Sequence, residues 1–370
     1  MTNKSLKNIL YIGNYNPDYI RNHNFIQGLR NHNINVIEFN TNKYRNKSLI
    51  RFLIKNFKRF LNLKYDAIIY YSFRNSISFM FSKLLAFLKG VPLIHDVHIS
   101  KLLTYYNVYG LKNRKRFIPK ILYYLYFYVL EFLLCHLSDF VVLDTASHIK
   151  YFRETFKIPL KKFRKIYVGS REDYFYPIEC EKSDNHNILV GFWGSFIQAS
   201  GVNYIIKAIA SLKEQKNLSL LLLGGGITYE KDKELVKRLN LKNVKFLDFV
   251  PVKEVAKIIA NCDIGLGIFG AFFKVDLVIP NKLFDGMAMK IPMISAESAA
   301  VRELFTEGKD IILCDPGNSK SLADAILKLI NNKRLRYEIS ENAYRLFKKY
   351  CTTNKIGERL IKILLEKIDK

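Results

Sequence analysis

Acidic residues are in short supply: 33 Asp and Glu stand against 59 Lys and Arg, a net charge of +26. An excess of that size is not needed for folding and slightly opposes compaction. It points to partners such as nucleic acid, anionic lipid or phosphorylated substrates, although a genomic bias, visible in the heavy use of Lys, Ile, Asn, Tyr and Phe, accounts for part of it. Cysteine is also sparse. The five residues, Cys135, Cys180, Cys262, Cys314 and Cys351, are odd in number and scattered, with no CxxC pair and no Cys/His cluster. That argues against a disulfide framework and a structural zinc, and predicts a reducing compartment. The opening MTNKSLKNILYIGNY runs into a strand pattern without the apolar region of a signal peptide, which predicts a cytoplasmic chain. Low-complexity tracts and short-period repeats are missing, as is a DxD metal motif. No Asp/Glu pair stands out as the acid and base of a hydrolase.

What is present is a regular alternation. The 370 residues are 49% hydrophobic, with apolar runs spread evenly, and the length suits two domains. NILYIG reads as a strand, IRNHNFIQGLRNHN as a helix and INVIEF as a second strand. A basic helix from Lys47 to Leu63, the strand DAIIYYS, a helix near Ser76 to Leu88 and the strand VPLIHD follow. A long aromatic helix from Phe117 to Leu137 leads to the strands FVVLD and KIYVG. Tyr176 to Asn187 is polar and acidic and reads as a linker. The alternation then restarts through ILVGFWG, SLLLLGGG, VKFLDF, DIGLGIF, PMISA and DIILCD, and the last 50 residues read as helical. Continuous apolar strands separated by helices predict parallel sheets covered on both faces. Two such halves predict an α/β protein with a cleft at the carboxyl ends of the strands.

One short helix carries charge where an apolar face is otherwise complete. In IPNKLFDGMAMKIP, Leu283 with Met287 and Phe284 with Ala288 repeat at four-residue spacing, and Asn281 is placed to cap the first turn. Lys282 then sits at the positive end of the helix macrodipole, with Asp285 three residues on. The pair reads either as a solvated i,i+3 salt bridge or as part of an anion site.

In order and spacing the segments resemble the GT-B glycosyltransferases, most closely the retaining family 4 (glycosyl transferases group 1). The residues that carry the resemblance are ILYIGNYNPDYIRNHNFIQGLR, LSDFVVLDTASHIKYF, KIYVGSREDYFYP, VGFWGSFIQASGVNYIIKAI and PNKLFDGMAMKIPMISA. It implies two doubly wound Rossmann-like domains facing across a cleft. Residues 1–178 would bind the acceptor and 185–351 the nucleotide sugar, with a C-terminal helix at about 352–370 packing back on the first domain. It implies a donor site at Gly13, Asn14, Gly194, Ser195, Gly225, Val250, Pro251, Lys282, Leu283 and Asp285. Asp285 would accept from ribose hydroxyls, and Lys282 would offset the diphosphate. His98, six residues after Pro92, matches the His of the family's strand near the donor sugar, and Asp96 is a second catalytic candidate.

Two departures stand out. The family's Arg and Lys at the entry to the second domain correspond here to Ser195 and Ser200. Its pair of glutamates eight apart is incomplete, since Leu277 stands eight before Asp285 with Asp276 adjacent, and a family Gly is replaced by Lys290. Phosphate charge then falls to Lys282, Lys290, Lys274 or helix amides.

The resemblance implies a retaining glycosyltransferase. It would move a sugar from a nucleotide diphosphate donor to a glycan or lipid-linked acceptor in cell-surface polysaccharide synthesis, without a metal or other cofactor. The alternatives are an inactive partner subunit or a nucleotide-sugar epimerase on the same fold. Nucleic acid is not an expected partner, because the basic residues lie mainly on helices of the first half rather than in a stripe with interleaved aromatics. Arg114 to Leu137 and the basic helix from Lys47 predict a place peripheral to the inner face of the plasma membrane, on anionic lipid.

Overall fold

The strand β1 (Asn8–Asn14) shows how the chain divides its apolar residues. Ile9 and Tyr11 face one core, while Leu10 and Ile12 face another. A strand buried on both sides needs helices on both sides, the arrangement of parallel sheets. The computed structural model describes residues 6–44, 46–72, 76–97, 99–108, 120–179, 187–271 and 273–368. They form two compact units, Met1–Val168 with Thr353–Lys370, and Gly169–Thr352. The sequence pattern alone puts residues 169–178 with the first half; here they group with the second.

In the first unit β1 is followed by α1 (Ile20–Asn31), β2 (Asn35–Asn40), α2 (Asn46–Lys55), α3 (Phe57–Asn62), β3 (Ala67–Ser72), α4 (Ile77–Lys89) and β4 (Leu93–Asp96). Next come α5 (Lys101–Val108), α6 (Lys120–Leu137), β5 (Phe140–Leu143), α7 (Ala146–Phe156) and β6 (Phe163–Lys165). The strand order is β2-β1-β3-β4-β5-β6, all parallel.

The second unit runs β7 (Ile188–Ser195), α8 (Val202–Ser211), β8 (Leu218–Gly225), α9 (Tyr229–Arg238), β9 (Val244–Leu247), α10 (Val252–Ile259) and β10 (Ile264–Leu266). It continues with α11 (Asn281–Ala288), β11 (Met293–Ala296), α12 (Ala299–Arg302), β12 (Ile312–Cys314), α13 (Ser319–Ile330) and α14 (Lys333–Tyr350). Its order is β12-β11-β10-β7-β8-β9, again parallel. Each sheet is Rossmann-like, as the alternation predicts.

The last helix, α15 (Thr353–Ile368), belongs to the first unit. It crosses α1 where two glycines meet. A Cβ on Gly357 would lie 2.2 Å from the Gly28 carbonyl oxygen, so the close approach requires both residues to lack one.

Three expectations need correction. The basic stretch from Lys47 to Leu63 is two helices, not one. They break at Asn56, whose side-chain amide donates to the Phe52 carbonyl, the kind of local bond that competes with helix continuation. The last strand of the first unit is Phe163–Lys165, two residues earlier than KIYVG suggests, because Phe163 pairs with Val141 in the edge register and the chain leaves the sheet before Gly169 (φ +74°). Helix α5 was hidden among apolar residues. Its N-terminus is held by Glu131 of α6, whose carboxylate accepts from Ser100 Oγ (2.8 Å) and from the backbone N–H of Lys101 (2.5 Å). An acid inside an aromatic helix is thereby a cap for its neighbour. Cys135, Cys262, Cys314 and Cys351 are buried and form no disulfide among the described residues, and Cys180 lies outside them.

Candidate functional site

The strands β7 and β8 end side by side on glycine. Gly194 pairs with Gly224 and Ser195 with Gly225. Gly194 has φ +124°, Gly224 +128° and Gly226 +149°, conformations that side chains disfavour. A Cβ on Gly224 would come 2.0 Å from the Gly194 carbonyl oxygen. The sequence therefore leaves bare backbone at the carboxyl ends of two central strands, the usual ligand position in such sheets. Ser195 is exposed there, while Ser200 is buried and donates to the Ser195 carbonyl oxygen at 2.6 Å, bracing the turn. The exposed ring of Phe249 lies against Gly225, with half-buried Val250 and exposed Pro251 following at the start of α10.

Helix α11 brings its two charged residues beneath these glycines. Pro280 holds the cap position, so Asn281 is the first helical residue rather than the cap. Lys282 and Asp285 are both buried, at 9% and 8% exposure, which overturns the solvated salt-bridge reading. The Lys282 ammonium lies 3.5 Å from the centroid of the Phe192 ring, and a Cβ placed on Gly194 would be 3.7 Å from it. It makes no hydrogen bond or ion pair among the described residues. Burial lowers its pKa to about 7 despite the opposing field of Asp285. Asp285 is engaged elsewhere: Oδ1 accepts from Ser170 Oγ at 2.6 Å and Oδ2 from the Trp193 indole at 3.4 Å. Burial raises its pKa to about 6, with both donors and Lys282 pulling the other way.

The remaining candidates are dispersed. Leu283 is fully buried, leaving only its backbone for a ligand. Lys290 pairs with Glu341 at 2.6 Å. Its φ of +56° explains why a Gly is suited to that position. In the first unit, Gly13 has φ +151°, and a Cβ there would sit 1.5 Å from the Tyr71 carbonyl oxygen, so it is fixed by strand packing; Asn14, half-buried, follows. Asp96 is buried and accepts from Arg21 Nε at 2.8 Å, and burial raises its pKa. His95 is buried, its pKa lowered to about 3 by desolvation and then by Lys101. His98 and the side chain of Lys274 lie outside the described residues.

Three residues of the site escape sequence reasoning: Ser170, Phe192 and Trp193. Phe192 was legible in principle, since it stands two residues before Gly194 and so shares its face of β7. Ser170 gives no signal, standing 115 residues from its partner.

Comparison with known proteins fits this geometry. Residues 187–332 match the glycosyl transferases group 1 family, a span that holds the glycine turns and α11. Over most of its length the chain superposes on Anabaena HepE in complex with UDP, with a TM-score of 0.70, 16% identity and coverage of 96% of this chain and 99% of that one. A glycosyltransferase of Rickettsia africae gives a TM-score of 0.70 at 16% identity, covering 99% and 100%. The chain has the GT-B fold, and its residues 187–332 are similar to the glycosyl transferases group 1 family. Among curated relatives, an uncharacterised glycosyltransferase of Methanocaldococcus jannaschii is 27% identical over 50% of this chain and 48% of its own. The N-acetyl-alpha-D-glucosaminyl L-malate synthase of Bacillus anthracis is 25% identical over 56% and 54%. The GT-B chain thus spans about half the length of the curated relatives it matches.

Proposed function

We propose that the protein transfers a sugar, with retention, from a nucleotide diphosphate donor to a glycan or lipid-linked acceptor in cell-surface polysaccharide or glycoconjugate synthesis. The observation that carries this reading is Lys282, a nearly buried side chain at the glycine ends of β7 and β8 whose ammonium makes no hydrogen bond or ion pair among the described residues. A buried cation without an anion is costly, and a diphosphate is the anion that a bare strand end and a helix N-terminus accommodate together.

In this reading Lys282 and the amides of Gly194, Ser195 and Gly225 hold the diphosphate. As the bond to the sugar breaks, negative charge grows on the leaving phosphate, and Lys282 offsets it. Asp285 takes a ribose hydroxyl on its remaining lone pairs, since each carboxylate oxygen accepts more than one donor. Val250 and Pro251 face the base through backbone groups, and the exposed Phe249 ring offers it a stacking surface. By the resemblance, His98 and Asp96 are the catalytic candidates; Asp96 is held by Arg21 at the end of β4. The resemblance assigns Gly13 and Asn14 of the first unit to donor binding as well. No metal or cofactor takes part in this scheme.

The solved structures of HepE with UDP and with UDP-glucose make uracil the first base to test. A thermal-shift screen of UDP-, GDP- and ADP-sugars identifies the donor, because a ligand binding only the folded state raises the melting point with the logarithm of its excess. Donor turnover by the purified chain with retained anomeric configuration supports the reading. Inversion contradicts retention, and donor binding with no turnover on any acceptor favours the partner-subunit alternative. His98→Ala is expected to lower kcat more than donor affinity, which distinguishes a catalytic from a structural His.

A further inference from the structure

The first unit carries an apolar groove that its own fold leaves open. Helices α2 and α4 lie side by side on the β1–β3–β4 face of the sheet, over a core that includes Phe60, Phe79 and Leu85. Between their outer faces runs a groove of about 660 Å³, lined by Ile50, Leu53, Ile54, Met80, Phe81 and Leu84 with two further apolar side chains. Its rim projects into solvent: Ile54 is 72% exposed and, further along α4, Phe87 is 78% exposed with Leu88 beside it. Single exposed apolar residues are ordinary, but a contiguous set on two adjacent helices marks an interaction surface.

The charge around the groove says what covers it. Between Glu38 and Asp96 the only acidic residue is Asp66, and its carboxylate is spent on the backbone N–H groups of Lys7 and Asn8. The same span carries Lys47, Arg51, Lys55, Lys58 and Arg59 as exposed cations on α2 and α3. An acid-free, basic rim around an apolar floor complements an anionic headgroup layer above acyl chains. A protein partner with an apolar ridge would need an acidic collar to match. No helix among the described residues is long and apolar enough to cross a membrane, so contact with lipid is made from the surface.

We propose that the α2–α4 groove is a binding site for anionic phospholipid in a bilayer, with Ile54 and Phe87 entering the acyl region and the α2–α3 cations meeting the headgroups. Amphipathic helices of this kind lie in the interface, their apolar face sunk to the acyl boundary. Juxtamembrane cations add attraction that salt screens. The site lies within the first unit and needs no nucleotide, so it stands or falls separately from the proposed donor site.

Vesicle flotation of the full chain tests it, with phosphatidylglycerol–phosphatidylcholine vesicles against phosphatidylcholine alone. The protein should float with the anionic vesicles at low salt and remain behind with the neutral ones. Two variants change exposed side chains only, Lys55→Glu/Lys58→Glu/Arg59→Glu and Ile54→Ser/Phe87→Ser, and each should weaken partition at least about tenfold while melting and UDP affinity stay unchanged. In a third variant, Phe87→Trp, chain-brominated lipid should quench the new indole, with the buried Trp193 as an unchanging background. No flotation of the native chain overturns the proposal. So does flotation of the charge-reversed variant, which would place the lipid contact elsewhere on this basic protein. Loss in the charge variant alone, without quenching at position 87, overturns insertion into the groove.

Discussion

The Lys282 ammonium rests 3.5 Å from the centroid of the Phe192 ring and makes no hydrogen bond or ion pair among the described residues, although Asp285 lies one turn away. The ring offers a cation–π contact, and Asp285 contributes only a long-range field because its oxygens are turned to Ser170 and Trp193. Helix α11 therefore carries a cation and a carboxylate on nearly buried side chains without joining them. That arrangement weakens the ligand-free fold and readies it for an anion, a form of stored instability typical of binding sites.

Replacing Lys282 with Met should stabilise the ligand-free protein by about 1–2 kcal/mol near pH 7. The pH dependence follows from the shifts. With the folded-state pKa of Lys282 near 7 and an ordinary value of 10.5, the unfolded chain holds the extra proton between those pH values. The lysine's contribution to stability thus rises as pH climbs from 7 to 10.5, its burial cost being present in full below 7. Asp285, raised from 3.8 to about 6, works oppositely: the folded state holds the extra proton between those values, and stability falls as pH rises through that window. Denaturant melts of the native chain and Lys282→Met across pH 7 to 10 should converge with rising pH. A parallel pair of curves would contradict the lowered pKa.

Binding a diphosphate should draw a proton onto the protein. The anion restores Lys282 to its charged form, so affinity should decline as pH rises above 7, and the calorimetric enthalpy near that pH should vary with the ionisation enthalpy of the buffer. Equal enthalpies in phosphate-free buffers of different ionisation enthalpy would show that Lys282 does not change protonation.

Gly224→Ala should cost about 2–4 kcal/mol, because its Cβ would press on the Gly194 carbonyl oxygen at 2.0 Å in a backbone conformation already unfavourable to alanine. Gly308→Ala is the control: φ is also positive at +74°, but its Cβ would meet nothing within 4 Å, so only backbone strain of about 1 kcal/mol applies. Urea denaturation separates the two. Equal losses would mean that the strand ends relax and do not need bare backbone.

The Lys282–Asp285 helix, the glycine-ended strands and the two parallel sheets were legible because each rests on local pattern: period, punctuation, and apolar runs of strand length. What was not legible depends on contacts far apart in sequence. Burial of Lys282 and Asp285 is set by the way α11 packs beneath β7, so a helix with one apolar face read equally well as half solvated. Ser170 reaches Asp285 across 115 positions, and no local signal announces it. Glu131 is an acid within an aromatic helix, and only the neighbouring N-terminus of α5 explains it. The break at Asn56 turned on one side-chain amide meeting one carbonyl, below the reach of periodicity.

Glu131→Ala should destabilise the first unit by about 1–3 kcal/mol, the scale for leaving buried donors unmet, since Ser100 Oγ and the Lys101 N–H lose their acceptor. Glu131→Gln retains one oxygen and should recover part of the loss. Hydrogen exchange localises the effect: amides 101–104 should lose protection, while those of β7 and β8 should not. Uniform loss throughout the chain would assign Glu131 a general packing role instead.

Titration calorimetry of UDP into the native chain and Lys282→Ala at pH 7 asks most directly whether this lysine is the anion site. The native chain should bind, and the variant should lose about 1–3 kcal/mol of binding free energy, the scale of a charged hydrogen bond, with its melting point no lower than the native value. Equal affinity for UDP in the two proteins would place the diphosphate elsewhere and contradict the assignment of Lys282.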